Sequence, residues 1–328
     1  MEIIEVRQNW PNDVLRIDLT IGNYCNYKCW YCWPGCHEGD RRWPNFEIFT
    51  KNLCHLMDHY LKTTNKKKFD FHVMGGEVTH WPKFIEFIQF FKSRYDCIFT
   101  LTTNGSKKIE FWEKAIPYLD YVNMSVHHEF CDPAHISNVA DLLYKNNVIV
   151  ATLVLMDPNN WDKCVSIVDQ LKKSKHSWSI RYLEIINDTV SYTEEQKKVL
   201  NKLRARRSNP FWFFKNNKSY QSKVKVLDVD NKVSKIGDHV IVLDRLNKFK
   251  DWECSVGVHW IAVKSDGIVS AICGNGLYKD SYIYSIFEEE FVEKFNPTVQ
   301  PTICKQDDCW CIFEANMPKR KIIPIYKN

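Results

Sequence analysis

Apolar runs typical of buried strands alternate with amphipathic helical patterns through the first 190 residues. The strand-like runs are rich in β-branched and aromatic residues, and they span residues 14–20, 69–74, 97–103, 121–127, 148–155 and 178–186. The helical patterns between them span residues 46–62, 81–95, 108–116, 134–145 and 161–174. This alternation predicts an α/β protein with a parallel sheet, either doubly wound or wrapped as a barrel. In both cases the chemistry belongs at the carboxyl ends of the strands.

The pattern changes after a predicted surface helix at residues 193–207. Residues 224–243 predict short antiparallel strands, and residues 260–273 predict a hairpin that turns at Asp266-Gly267. A small second domain of α+β type is therefore expected. The two predicted domains are residues 1–207 and residues 208–328.

Composition and charge exclude several classes of protein. The 328 residues are 45% hydrophobic and 26% charged, which is typical of a globular chain and not of a disordered or fibrous one. No apolar run is long enough to span a membrane, and the first residues lack the apolar core of a signal peptide. The net charge of +5 is too small to indicate nucleic acid as a partner. We expect a cytoplasmic protein, with short basic runs such as Lys319–Lys321 forming solvated faces.

Thirteen cysteines are the exceptional feature of the composition. An odd number in a chain without a secretion signal argues against a disulfide framework. Four of them lie within residues 25–36 and five after residue 250. This distribution predicts one metal site in each part of the chain.

The first cluster follows the first strand-like run with the spacing C-x3-C-x2-C, at Cys25, Cys29 and Cys32. Three thiolates this close together can bind three irons of a [4Fe–4S] cluster and leave the fourth iron open. A structural zinc site fits less well, because a closed zinc site needs four ligands.

The motif C-x3-C-x-aromatic-C, met here by Cys25, Cys29, Tyr31 and Cys32, resembles the hallmark of the radical S-adenosylmethionine (radical SAM) enzymes. The resemblance implies an incomplete (β/α)6 TIM-like barrel in which the three cysteines hold the SAM-binding [4Fe–4S] cluster. It also implies that SAM chelates the open iron through its amino and carboxylate groups. An electron from the reduced cluster then splits SAM into methionine and a 5′-deoxyadenosyl radical, which abstracts a substrate hydrogen.

The resemblance extends to polar residues at the ends of later strands. Gly75, Gly76 and Glu77 resemble the family's GGE motif, which meets the ammonium group of SAM. The other positions that resemble SAM contacts are Tyr31, Thr103, Asn104, Ser125 and Arg181. Ordinary strand-end turns at the glycines and at Asn104, and an ion pair between Arg181 and Glu184, are the structural alternatives.

The late cysteines resemble the C-terminal extension called SPASM, or twitch when it is shortened to one cluster. They are Cys254, Cys273, Cys304, Cys309 and Cys311. Five suffice for one auxiliary [4Fe–4S] cluster, and which four bind it stays open because the late spacing departs from the usual one. Four of them would also suffice for a structural zinc site. An auxiliary cluster that accepts an electron from a substrate radical makes the net reaction a two-electron oxidation.

The resemblance therefore implies a radical SAM oxidoreductase that receives electrons from a reductase such as flavodoxin or ferredoxin. The substrate is expected to be a small molecule or a peptide. Only 24 residues precede Cys25, too few for the folded leader-peptide-binding domain of many peptide modifiers. Two alternatives are an iron–sulfur electron carrier, in which Cys36 joins the first three cysteines, and a zinc-stabilised binding protein. The sequence identifies no catalytic base.

Overall fold

The structure of the chain is a computed structural model. It describes residues 2–7, 11–32, 43–175, 180–185, 190–203, 223–237, 241, 245–270, 284–305, 307–309 and 317–322. The predictions made for Cys36, Cys273 and Cys311 lie outside the described residues.

The described strands and helices follow in chain order. The strands are β1 (Ile3–Arg7), β2 (Val14–Thr20), β3 (Lys68–Met74), β4 (Cys97–Thr103), β5 (Tyr121–Val126), β6 (Ile149–Met156), β7 (Ile180–Glu184), β8 (Lys223–Asp228), β9 (Val233–Gly237), β10 (Trp252–Cys254), β11 (Trp260–Val263), β12 (Val269–Ser270), β13 (Thr302–Ile303) and β14 (Lys319–Lys321). The helices are α1 (Phe46–Thr63), α2 (Phe84–Arg94), α3 (Ile109–Ala115), α4 (Pro133–Lys145), α5 (Trp161–Leu171), α6 (Glu194–Leu203) and α7 (Phe291–Lys294).

The chain divides into two compact units. We call residues 19–46 and 70–206 the parallel-sheet unit, and residues 1–18, 47–69 and 207–328 the antiparallel-sheet unit. The domain boundary predicted after residue 207 stays a prediction. Among the described helices, none combines the length and the apolar character needed to cross a membrane.

The parallel-sheet unit contains β4 to β7 and the carboxyl ends of β2 and β3, in the order β2-β3-β4-β5-β6-β7. Strands β4 to β7 pair in parallel, and β7 has no further partner among the described strands, so the sheet is open. All six strands were predicted from the apolar runs. The α/β fold with an open parallel sheet is confirmed.

Aromatic packing buries one face of this sheet. Phe71 of β3 stacks on Phe99 of β4, with 4.8 Å between ring centroids, and Phe91 of α2 lies 5.5 Å from Phe71. Residues alternate between the two faces of a strand, so the residues next to these phenylalanines point to the other side. That other face is only partly buried, and His72 and Thr102 meet across it through a hydrogen bond of 2.8 Å.

The antiparallel-sheet unit contains a six-stranded sheet in the order β13-β10-β14-β1-β8-β9. Its neighbouring strands pair antiparallel. The pairing of β8 with β9 confirms the predicted antiparallel strands, and β11 pairs with β12 in the predicted hairpin. Gly267 turns this hairpin with a φ of +82°, where a Cβ would lie 2.5 Å from Ser285 Oγ.

Strands β1, β10, β13 and β14 were missed by the sequence analysis. They are two to five residues long, which is too short for a period to show. Their partners are also remote in sequence, since Glu5 of β1 pairs with Arg320 of β14. These strands form because a distant strand completes their hydrogen bonds.

A buried lysine lies in the antiparallel-sheet unit. The ammonium of Lys66 donates to the carbonyl of Asn12 at 2.8 Å and lies 2.6 Å from Nδ1 of His259. Burial disfavours the charged forms of both side chains, so the pKa of Lys66 falls to about 7 and that of His259 to about 3.

Lys66 should make the stability of the protein depend on pH. The unfolded chain keeps the lysine proton up to about pH 10.5, whereas the folded chain releases it near pH 7. Between these values the unfolded state binds more protons, so the free energy of unfolding rises with pH, by at most about 1.4 kcal/mol per pH unit. Urea denaturation between these limits should show this rise in the wild type and in Lys67→Met, an exposed neighbour. The rise should be absent from Lys66→Met, and an equal slope in all three proteins would contradict the assignment.

Candidate active site

The first cysteine cluster lies on a loop, residues 21–32, that directly follows β2. Cys29 is buried, with 3% of its surface exposed, and Cys25 and Cys32 are partly buried. A hydrogen bond of 3.1 Å from the Cys32 N–H to the Cys29 carbonyl turns the chain between these two thiols. The three cysteines therefore share one short loop after the carboxyl end of a strand, as the sequence predicted.

The glycines after β3 run alongside this cysteine loop. The Gly76 N–H donates to the Gly22 carbonyl at 3.3 Å, and the Glu77 N–H donates to the Tyr24 carbonyl at 2.7 Å. A Cβ on Gly75 would lie 2.5 Å from the Ile21 carbonyl oxygen, and one on Gly76 would overlap the Tyr24 carbonyl. Glycine is thus required here by the backbone of the cysteine loop, and the contact with SAM that the resemblance implies for these residues stays a prediction.

The side chain of Glu77 is fully buried and joins the ends of two strands. Its Oε1 accepts from the Thr79 N–H, the Thr79 hydroxyl and the Thr103 hydroxyl, at 3.2, 2.6 and 2.8 Å. Its Oε2 accepts from the Asn104 N–H at 2.5 Å. Burial raises the pKa of Glu77, and these hydrogen bonds oppose that rise. Glu77 therefore ties the turn after β3 to the end of β4 through buried hydrogen bonds, one of which comes from Thr103.

Asn104 connects this network to the cysteine loop. Its Nδ2 donates to Asn26 Oδ1 at 2.9 Å and lies 3.9 Å from Cys25 Sγ, within hydrogen-bond reach of sulfur. The Tyr27 N–H also donates to Cys25 Sγ, at 3.3 Å. Two N–H donors thus point at one sulfur, an arrangement that favours a thiolate bound to iron.

The donor set fits an iron–sulfur cluster. Burial raises the pKa of Cys25, and it raises that of Cys29 to about 11, so these thiols need a positive partner to become thiolates. No three described His, Cys, Asp or Glu side chains surround one point closely enough for a single metal ion. Each thiolate of a [4Fe–4S] cluster binds a different iron, so the cluster does not require such convergence.

Tyr31, the aromatic residue of the motif, packs against a histidine pair at the end of β5. Its hydroxyl lies 3.0 Å from Nδ1 of His127, and the two rings stack with an interplanar angle of 12°. Burial lowers the pKa of His127 to about 4, so its imidazole is neutral at neutral pH. His128 is buried, and its Nε2 lies 3.5 Å from the buried carboxylate of Asp157 at the end of β6.

Ser125 and Arg181 lie on the partly buried face of the sheet. The register pairs Ser125 with Leu153 and Leu153 with Arg181, and directly paired residues of a parallel sheet point to the same face. The Arg181 guanidinium donates to the carbonyl of Ile180 at 2.7 Å. The two predicted residues therefore share a face, two strands apart.

Three of the late cysteines fall within the described residues of the antiparallel-sheet unit. Cys254 and Cys309 are buried, and Cys304 is partly buried. Cys304 and Cys309 pack with Trp252 in one apolar cluster, and Cys254 ends the strand that Trp252 begins. The structure thus brings two of the five cysteines predicted to bind a second metal centre into one cluster, and places the third, Cys254, two residues from Trp252 of that cluster.

A family model matches the part of the chain that contains the first cysteine cluster. Residues 19–171 match the model described as the Radical SAM superfamily. The chain carries a radical SAM domain. This superfamily uses a [4Fe–4S] cluster and SAM for SAM-derived radical chemistry, which confirms the two cofactors predicted from the first motif.

Solved structures show a similar fold. One is native anSMEcpe with bound AdoMet and Cp18Cys peptide, which is 17% identical with a TM-score of 0.52; the match covers 86% of this chain and 81% of that chain. Another is a histidine-tagged form of anSMEcpe with bound AdoMet, at 15% identity and a TM-score of 0.53, covering 86% of this chain and 78% of that chain. At such identities the likeness establishes the fold. No curated protein matches the chain in sequence.

Sequence reasoning missed several polar residues around the radical SAM site. His72, the hydrogen-bond partner of Thr102, was missed because it lies within β3 and not after the end of that strand. Asp157 was missed although it follows β6 directly, which is the same strand-end signal that selected Ser125. Extending that signal to every strand of the sheet would have found it.

Glu77→Gln tests whether the buried carboxylate holds the radical SAM site together. Both carboxylate oxygens accept a backbone N–H, so the amide nitrogen of glutamine must face one of these donors. We expect a loss of about 1–3 kcal/mol in the free energy of unfolding, the usual cost of an unsatisfied buried polar group, together with lower iron retention. Chemical denaturation and iron analysis measure both. Glu86→Gln, which removes an exposed partner of Lys83, is the matched control and should change stability by less than about 1 kcal/mol.

Proposed function

We propose that this protein is a radical SAM oxidoreductase that abstracts a hydrogen atom from a small molecule or a peptide, assisted by an auxiliary [4Fe–4S] cluster. The observation that carries the first part is the joining of the cysteine loop to Gly75-Gly76, Glu77 and Asn104. This joining brings the cysteine loop and the polar ends of two further strands together at one end of the parallel sheet, which supports a cluster and SAM there. When bound, the cluster and SAM together supply the 5′-deoxyadenosyl radical.

Some residues of the protein would contact SAM directly, and others would hold those residues in place. We assign direct contact with SAM to two groups of residues. The first lies on or beside the cysteine loop and consists of Tyr31, Gly75, Gly76 and Asn104. The second lies on the partly buried face of the sheet and consists of Ser125 and Arg181. Glu77 and Thr103 would support the residues that bind SAM without contacting SAM themselves, because their side-chain hydrogen bonds lie within the protein. The neutral His127 would fix the orientation of the Tyr31 ring.

The auxiliary centre is proposed for the antiparallel-sheet unit. Cys254, Cys304 and Cys309 supply three thiols there, and Cys273 or Cys311 would supply the fourth. The likeness to anSMEcpe supports an extended architecture, because its 86% coverage reaches beyond the family match at residues 19–171. A peptide substrate gains support from the same protein, which was solved with a bound peptide.

We place the protein in the cytoplasm, with a flavodoxin or ferredoxin reductase as electron donor. The ten described cysteines are free thiols, as a reducing compartment would keep them. A net two-electron oxidation predicts a product two hydrogen atoms lighter than the substrate. An isomeric product would contradict the oxidoreductase assignment.

Production of 5′-deoxyadenosine tests the reaction class. Protein reconstituted anaerobically with iron and sulfide, then given dithionite and SAM, should form 5′-deoxyadenosine measurable by mass spectrometry. Cys29→Ser should lower the yield at least about 100-fold because one iron ligand is lost. Cys54→Ser, on α1 outside both sites, should leave the yield unchanged. Cys36→Ala separates an enzyme from an electron carrier, since only a four-thiolate carrier would lose its cluster.

Metal analysis tests the auxiliary centre separately. The triple variant Cys25→Ala, Cys29→Ala, Cys32→Ala should retain about four irons and four sulfides per chain if one [4Fe–4S] cluster remains. Adding Cys254→Ala should remove them, whereas adding Cys97→Ala, a buried cysteine of β4, should not. Zinc without sulfide in the triple variant would contradict the auxiliary cluster and support a structural zinc site.

A further inference from the structure

The six-stranded sheet brings two of the late cysteines, Cys254 and Cys304, to one face. On β10, Cys254 pairs with Thr302 of β13 on one side and with Lys319 of β14 on the other. The Cys304 N–H donates to the Trp252 carbonyl at 2.8 Å, which continues the same register. Directly paired residues in a sheet share a face, as do residues two apart on a strand. Cys254, Cys304 and Lys319 therefore point to the same side.

The other side of these strands faces solvent. Glu253 and Arg320 pair there through an ion pair of 2.8 Å, and 69% of the Arg320 side chain is exposed. Lys319, by contrast, is only 5% exposed. The expectation that Lys319–Lys321 forms a solvated basic face is therefore wrong for its first residue, because the pleat of β14 turns Lys319 inward.

The ammonium of Lys319 lies among the cysteines. It donates toward Cys309 Sγ at 3.9 Å and lies 4.3 Å from the centre of the Phe249 ring. Cys309 is fixed by two hydrogen bonds to Asn247: its N–H donates to the Asn247 carbonyl at 2.8 Å, and its carbonyl accepts from Asn247 Nδ2 at 3.1 Å. These hydrogen bonds thus fix the backbone of Cys309 at the position where its sulfur contacts the Lys319 ammonium.

A buried ammonium interacts strongly with a nearby negative charge, because the protein interior screens charges less than water does. A [4Fe–4S] cluster with four thiolate ligands carries a net negative charge, and reduction adds one more electron. A nearby positive charge and a hydrogen bond to a ligand sulfur stabilise the reduced form more than the oxidised form. Such a lysine raises the reduction potential of the cluster.

We propose that Lys319 is a positioning residue of the auxiliary cluster, whose ammonium hydrogen-bonds Cys309 Sγ and raises the reduction potential of the cluster. This inference rests on the auxiliary cluster of the proposed function. It makes that cluster a better acceptor for an electron from a substrate radical. The contact also supports the assignment of Cys309 as one of the four ligands, which the cysteine spacing left open.

A redox titration tests the role of Lys319. The full-length triple variant without Cys25, Cys29 and Cys32 serves as the parent, because its iron signal comes from the auxiliary cluster alone. Adding Lys319→Met should lower the ratio of reduced to oxidised cluster at a fixed applied potential by about tenfold, equivalent to about 59 mV for one electron. Lys319→Arg keeps the charge and should stay within about threefold of the parent. Lys321→Met, on the same strand in an exposed ion pair with Glu2, should not change the ratio.

The outcomes separate the inference from the function on which it rests. An unchanged ratio in Lys319→Met with its iron retained overturns the inference and leaves the auxiliary cluster intact. A parent variant that contains no iron and sulfide overturns both the role of Lys319 and the auxiliary cluster. Lys319→Met that is folded by circular dichroism but has lost iron, while Lys321→Met retains it, supports Lys319 as part of the site. Should Lys319→Met not fold, Lys319→Gln carries the same expected shift and is judged by the same ratio.

Discussion

The buried carboxylate of Glu77 is the interaction on which the radical SAM site depends. It accepts hydrogen bonds from Thr79, Thr103 and Asn104, and so ties the turn after β3 to the end of β4. Asn104 then reaches Cys25 on the loop after β2. A carboxylate without these donors would be too costly to bury, so the network and the alignment of the three strand ends require each other.

The backbone around this carboxylate is equally constrained. Gly75 and Gly76 lie against the carbonyls of residues 21–24, where any side chain would collide with the cysteine loop. The strand-end motif and the cysteine motif are therefore one structural unit, although more than 40 residues separate them in the chain. This explains why a short glycine-glycine-glutamate run belongs next to the cysteines: its backbone sets the position of the cysteine loop.

The antiparallel-sheet unit is organised by the pairing of short strands that are remote in sequence. Its sheet joins β1 from the amino end of the chain to β8 and β14 from the later part, through strands too short to be stable alone. The alternation of side chains across β14 sends Arg320 to solvent and Lys319 toward Cys309. A basic run that suggests a solvated face thus contributes one lysine to the interior, beside the thiol of Cys309.

The sequence alone determined the features that depend on local pattern. The strands of the parallel sheet, the hairpin at Asp266-Gly267 and the three-cysteine motif follow from neighbouring residues, because apolar period, turn chemistry and ligand spacing are encoded within a few positions. SAM as a cofactor follows from the resemblance of that motif to the radical SAM enzymes. Only the tertiary structure decided that Glu77 and Thr103 bond to each other, that Asp157 faces His128, and that Lys319 is buried beside Cys309. Each of these depends on which remote strands become neighbours and on which face a residue occupies. A shift of one residue in register reverses that face, and local sequence does not specify the register between strands so far apart in the chain.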